Sequence, residues 1–449
     1  MKDFQQISRP LTASGLQPLL AVLAFVAAAS PIMGQEVSQE RQDEQDKRID
    51  ELEETLFALE DRSYERILGS VEIHGFLAQG YMNSSHNNYL TRSEQGSWAF
   101  NELGVNFSVD LTDKTRAGIQ LFSRDLGPIG NNEVVIDWAF LDYHYSDKLG
   151  FRFGKVKAPH GLYNETRDVD LLRNSILLPS SVYNESYRTS MAGLWGVGTY
   201  GGFSSDTLGR LDYQATIGTV DIGEEDGIAR SIESVAPMDV NGVEMDETIS
   251  AGLRWSTPLE GLLLGVTYLE TDISATGDLT VPLGGPLVAG TPLVYNLDSG
   301  RYSVFSAEYT ISDLILAAEY WTSTLESTVT ADASGTPVLL SDTKLHQEGY
   351  YVSAAQRMNE WLEFGAYYSV HYPNSDDKSG DAHVAVGDPN YKAWMKDLAL
   401  TVRFDIDDSW VFKIEGHTID GVGPLYDSDN LGGYDRRWTM LVVKLSVSF

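Results

Sequence analysis

The chain has 449 residues, with 65 acidic against 32 basic side chains and a formal net charge of -33. So acidic a chain argues against nucleic acid as a partner, because phosphate binding needs a basic face. It contains no cysteine, which excludes disulfides, cysteine-ligated zinc, a cysteine nucleophile and a lipid-anchored N-terminal cysteine.

Residues 1–34 read as a signal peptide. Lys2 and Arg9 make a basic start, Leu19–Ser30 is an apolar run too short to span a bilayer, and Gly34 offers a small residue for cleavage. Residues 35–68 contain neither Gly nor Pro and are rich in helix formers. Within them Ile49, Leu52, Leu56 and Leu59 step by three, four and three, the stripe of a coiled-coil seam. A helix with so narrow a stripe is marginal alone in water and makes sense when copies associate. A solvated charged linker is the other reading. The unit is taken as 35–69, a short α-helical coiled coil.

After Gly69 the step becomes two. In "LGVNFSVDL", Leu103, Val105, Phe107, Val109 and Leu111 share one face, while Glu102, Gly104, Asn106, Ser108 and Asp110 share the other. "LALTVRFDI" and the closing "LVVKLSVSF" alternate in the same way. Sixteen segments are predicted as strands, at 70–82, 97–111, 114–124, 132–146, 150–157, 189–201, 208–222, 246–257, 261–273, 299–311, 314–327, 345–358, 361–372, 393–406, 409–420 and 436–449. The connections alternate in length. Tight turns such as 112–114, 312–313 and 407–409 separate long polar loops at 83–96, 125–131, 158–188, 223–245, 274–298, 328–344, 373–392 and 421–435. That alternation is the signature of a transmembrane barrel. A soluble sandwich, β-helix or barrel would not combine it with a signal peptide, an even strand count and Trp98, Trp255, Trp361, Trp394, Trp410 and Trp438 near strand ends, where interfacial girdles sit. The fold class expected over 70–449 is all-β, a 16-stranded antiparallel transmembrane β-barrel.

Three features carry a family resemblance: a strand ending "GFRFGKVK" (150–157), the long third loop 158–188, and the last strand "RRWTMLVVKLSVSF" closing on Phe449. In combination they resemble the trimeric bacterial outer-membrane porins, and the preceding helix is similar to the N-terminal periplasmic coiled coil of some sugar and dicarboxylate porins. The resemblance implies a homotrimer in the outer membrane of a Gram-negative bacterium, with the coiled coil in the periplasm. It also implies that the third long loop folds into the barrel and narrows it, and that the terminal aromatic strand is read by the assembly machinery.

Such a barrel leaves an aqueous channel, whose passage depends on width and on rings of charge. The constriction candidates are Glu165, Arg167, Asp168, Asp170, Arg173 and Arg188. The wall candidates, by strand parity, are Arg116, Arg124, Arg152, Arg210, Arg254 and Arg403, with Arg357, Lys413 and Lys444 on the same face. Acidic loop residues facing wall arginines across a gap would make a transverse field for polar solutes. The alternative is that these charges hold the loop to the wall. Lys155 and Lys157 share the parity of outward Phe151 and Phe153, so either the strand has ended or a bulge turns them inward. His160 is a lone loop histidine, read as structural. Divalent cations could bridge acidic outer loops such as "NSDDKSGD" (374–381) to lipopolysaccharide, but none has a calcium-loop spacing, so they are read as solvated loops.

No cofactor or metal is expected. "GVGTYG" (196–201) matches a dinucleotide pattern but lies within a strand with no helix after it. The function expected is passive diffusion of small polar or anionic solutes: inward arginines argue for anions and acidic loops for cations, and the wall lies closer to the constriction than the loop tips do. A plugged surface barrel acting as an adhesin, and a barrel hydrolase, are the alternatives.

Overall fold

The computed structural model describes residues 47–48, 70–223 and 226–449. The segments expected as a signal peptide (1–34) and a coiled coil (35–69) lie outside these residues, apart from Lys47 and Arg48, which are helical.

The strands are β1 (Glu72–Ser84), β2 (Asn101–Thr112), β3 (Thr115–Asp125), β4 (Val134–Ser146), β5 (Leu149–Lys157), β6 (Gly193–Ser205) and β7 (Gly209–Thr219). There follow β8 (Asp221–Ile222), β9 (Met238–Met245), β10 (Thr248–Ser256), β11 (Leu262–Leu279) and β12 (Pro292–Ile311). The last are β13 (Leu314–Asp332), β14 (Pro337–Arg357), β15 (Leu362–Tyr372), β16 (Met395–Asp405), β17 (Trp410–Gly421) and β18 (Arg437–Ser448). Sixteen of the eighteen form a closed antiparallel ring: each pairs with the next, β7 pairs with β10, and β18 returns to β1. The other two stand outside the ring, β8 on β9 and β9 along the far half of β11.

Alternation explains the ring's two faces. Leu77, Leu103, Leu253, Phe305, Leu400 and Leu445 are exposed on the outside, a surface that is stable only against lipid. Their neighbours in sequence point inward and are largely polar. Of the six expected girdle tryptophans, Trp98, Trp255, Trp361 and Trp410 are exposed, but Trp394 and Trp438 are buried. Trp438 has the parity of inward Met440 and Val442, and packs with them in an interior cluster.

The strand boundaries hold to within a few residues except near 189, in the expected loops 274–298 and 328–344, and in the expected loop 223–245, which holds the helix Gly227–Val235 and the strand β9. The segment expected as a strand from 189 begins with a helical turn, Arg188–Ala192, and β6 starts at Gly193. The stretches 274–298 and 328–344, expected as loops, are mostly paired strand. The strands β11 to β14 run for 18, 20, 19 and 21 residues, a wall taller than the rest of the ring. The cause is a reversal of polarity along β11, β12 and β13, with mixed inward positions on β14. Beyond the lipid belt, Val329 and Ala331 face inward and are buried while Thr328 and Thr330 face out. A search for apolar-outward alternation passes over such a segment, because a wall standing in water has no reason to be greasy outside. In β12 the switch is made by one bulge at Asp298, where the register slips between Leu297 and Ser299 and the inward parity changes.

Candidate functional site

Between β5 and β6 the chain leaves the wall and enters the lumen. The base of this loop is held by Asn164, whose buried amide donates to the carbonyls of Ala158 and Met191, both at 2.8 Å. The constriction loop anticipated at 158–188 is therefore an inward-folded segment.

Its charges are neutralised by direct contact. Arg188 donates to Asp168 at 2.7 Å and to Asp137 at 3.0 Å, and Lys157 lies 3.4 Å from each of these carboxylates. Asp137 is the extra residue of a bulge in β4, where the β3–β4 register slips between Gln120 and Leu121. That bulge turns it inward. On β5, in register with Phe140, Gly154 holds φ +122, a conformation open to glycine and strained for other residues. Lys157 thus turns inward to Asp137 and Asp168, while Lys155, in register with exposed Trp195, donates to the Ile136 backbone carbonyl at 2.7 Å.

Asp170 forms the second cluster. Its carboxylate takes Arg173 at 3.0 Å, Lys444 at 2.8 Å and the Ser446 hydroxyl at 2.7 Å. Lys444 also pairs closely with Glu102. Lys413 donates to the carbonyls of Asp170, Arg173 and Ser175 at 2.8, 2.8 and 3.2 Å, and Arg403 donates to the Arg173 carbonyl at 2.9 Å. A third cluster is Arg167–Glu185–Arg124, with contacts of 2.7 and 2.8 Å. Burial would raise the Glu185 carboxyl, but Arg167, Arg124 and Arg188 outweigh it and hold it down at about 2. The same balance, with Arg188 and Lys157 as the leading cations, holds Asp168 below the ordinary carboxylate range.

Bonds to uncharged loop donors complete the attachment. Glu415 accepts the backbone N–H of Ile176 and Leu177 at 2.8 and 2.9 Å. Glu319 accepts the Tyr183 hydroxyl at 2.5 Å and the Leu162 N–H at 2.9 Å. His160 is buried, donates Nε2–H to the Val182 carbonyl at 3.0 Å and sets its ring edge-on to Tyr183. Burial lowers its pKa to about 4, so it is neutral at physiological pH, as its structural reading requires.

Tyr183 is bound to β13 and Glu185, two residues on, to β3. With β8 and β9 outside the ring, β3 is third and β13 eleventh of the sixteen, so the two strands are diametrically opposed. The loop therefore spans the lumen. The expected gap between acidic loop and basic wall is absent from all three clusters. Of the predicted loop residues, Arg167, Asp168, Asp170, Arg173 and Arg188 have side chains no more than 10% exposed, whereas Glu165 stays 38% exposed, with Arg254 at 3.8 Å. Among the wall arginines, Arg124, Arg254 and Arg403 touch the loop. Arg116, Arg152 and Arg210 do not: they pair with Glu72 and Asp110, with Asp142, and with Asp212.

Glu102, Glu319, Glu363 and Glu415 lie on the polar face that alternation defines, but residue type alone does not mark them as partners of the loop and its cations; Glu363 accepts from the Asn174 amide at 2.8 Å. Asp137 had no such signal, because a bulge cancels parity. The fit of loop to wall is close at Gly349, where an added β-carbon would collide with the Ser181 carbonyl. Gly349→Ala is expected to displace the loop there and lower stability by about 1–3 kcal/mol. Gly416→Ala, with open space around it, is expected to be near neutral. Equal thermal midpoints for the two variants would contradict the packing.

Among known structures the fold is that of bacterial outer-membrane barrels. The outer-membrane-expressed OmpT of Vibrio cholerae matches with a TM-score of 0.50 and 11% identity, over 84% of this chain and 97% of that one. OmpF of Salmonella typhi, solved with daunomycin, matches with a TM-score of 0.50 and 12% identity, again over 84% and 97%. No protein-family model matches the chain, nor does any curated protein.

Proposed function

We propose that this chain is an outer-membrane porin, a passive channel for small polar solutes. One observation carries the reading: a closed sixteen-strand ring with an apolar belt outside and an ionisable interior, crossed by one inward loop. Rings of this size enclose more space than side chains can fill. The route past the loop runs beside Glu165 and Arg254, the loop–wall ion pair that stays solvent-accessible. In this reading the chain resides in the outer membrane of a Gram-negative bacterium. Its residues 35–69 join three copies in the periplasm, and its acidic outer loops meet lipopolysaccharide. No covalent chemistry and no cofactor is required.

Charge selectivity should be weak. Each of the six predicted wall arginines has a carboxylate within 4.0 Å, so the motive for an anion preference is largely cancelled. In planar bilayers the purified chain is expected to open in groups of three steps. Its reversal potential across a salt gradient should stay near zero at high salt and turn cation-selective at low salt, where acidic loops are unscreened. A strong anion potential would contradict the pairing. A second reading, a plugged surface barrel, is favoured by the Tyr183–Glu185 strut across the lumen. An intact barrel that carries no current would establish it.

A further inference from the structure

We propose that the tall wall holds a binding site for a small, uncharged, mainly apolar organic molecule. Elsewhere the lumen wall carries the ion pairs described above, and its apolar clusters, such as Trp438 with Met440 and Val442, are packed closed. Beyond the bulge at Asp298, the inner faces of β11 to β13 turn apolar, β14 adds Leu340 and Leu345 among polar Ser341, Thr343 and Gln347, and the wall stands opposite the helix Gly227–Val235. That helix is N-capped by Asp226, which accepts from the Ile228 N–H at 3.1 Å, and it turns Ile228 and Ile232 inward. Between helix and wall lies a cavity of about 430 Å³, within the range of small-molecule sites, roughly 300–1,000 Å³. Leu297, Val329 and Tyr295 line its sides, and Tyr302 lies among its lining residues.

No residue lining this cavity is charged, in a chain whose residues are 22% charged. A charged or strongly hydrated solute would have to shed its water there without a counter-charge. An apolar molecule gains the dispersion contacts that the empty space forgoes. Ser231, Thr271, Ser327 and Gln347 supply a few polar groups, enough to orient a hydroxyl or carbonyl on an otherwise apolar ligand. Val235 and Leu283, also lining residues, are 70% and 50% exposed and give an apolar entrance. The site is distinct from the polar route past Glu165, and it does not rest on conduction.

The test is equilibrium binding of N-phenyl-1-naphthylamine, an uncharged aromatic fluorophore, to the full chain in lipid nanodiscs, with empty nanodiscs as the blank. Saturable binding above the blank, displaced by naphthalene and not by glucose, is expected. Ser327→Phe, which fills the cavity from β13, should weaken it about tenfold or more. Leu283→Asp, at the exposed entrance, should weaken it without disturbing the fold, and decides the matter if Ser327→Phe does not fold. Absence of saturable binding to the folded chain, displacement by glucose, or unchanged affinity in the folded variants would each overturn the proposal. A barrel that binds the probe but carries no current leaves it standing and removes only the channel reading.

Discussion

Lys444→Met is expected to be the most destabilising single substitution in the lumen. Its ammonium is 1% exposed and lies between Asp170 on the loop and Glu102 on β2. Methionine fills similar space but leaves two buried carboxylates facing each other. Breaking a buried pair by removing one partner costs about 3–5 kcal/mol. Asp170 keeps Arg173 and Lys413 nearby, whereas Glu102 loses its cation. The check is the temperature at which the folded barrel converts to the unfolded band on a gel. Adding Glu102→Gln to Lys444→Met should recover much of the loss, and the non-additivity of the two measures the pair. The pH dependence has a definite sign. Burial would raise the Asp170 carboxyl, but Lys444, Arg173 and Lys413 hold it well below the ordinary range. Its contribution is therefore complete above that range and is lost as pH falls through it toward the depressed value. The variant should show a flatter loss of stability in acid. A variant melting with the wild type at neutral pH would mean that the cluster does not hold the loop.

Replacing residues 164–186 by a short glycine–serine linker is expected to raise conductance severalfold while leaving the ring closed. The ring's own hydrogen bonds run from strand to strand and do not pass through the loop. Lys413, Glu319 and Glu415 lose their loop partners, but water then fills the lumen and solvates them, so the usual penalty for a stranded buried charge is not incurred. Unchanged conductance in a folded variant would place the narrowest point elsewhere. The candidate is the mouth, where Arg230 of the helix Gly227–Val235 pairs with Asp429 at 2.6 Å and Ser231 meets Tyr426 at 2.8 Å.

Where the chain touches lipid, the sequence is legible, because one solvent imposes one rule. Every ring strand was found by apolar residues at alternate positions, and the inward parity of Arg124, Arg254, Arg403, Lys413 and Lys444 followed from it. Two kinds of feature stayed hidden. The upper halves of β11 to β13 obey the opposite rule, apolar inward, and that of β14 alternates on neither face, so these stretches read as loops. Bulges at Asp137 and Asp298 reset parity with no compositional mark, which concealed Asp137 as the partner of Arg188 and Lys157. The loop residues were identified, yet their role could not be read from residue type. Whether Asp170 faces a solute or Lys444 depends on a contact between positions 274 residues apart, which local pattern does not carry.

That separation sets an order of events. The loop's partners at Lys413, Lys444 and Ser446 sit on the last two strands, with hydrogen bonds closing intervals of 243 and 276 residues. Contacts of such length are made late. Until β18 arrives and zips to β1, Asp170 and Glu102 have no Lys444, and the loop has no floor on that side. The seam and the loop should therefore lock together, in one step. An unfinished barrel would betray itself by a loop open to protease, and cleavage between 163 and 187 during insertion would serve as a clock for closure.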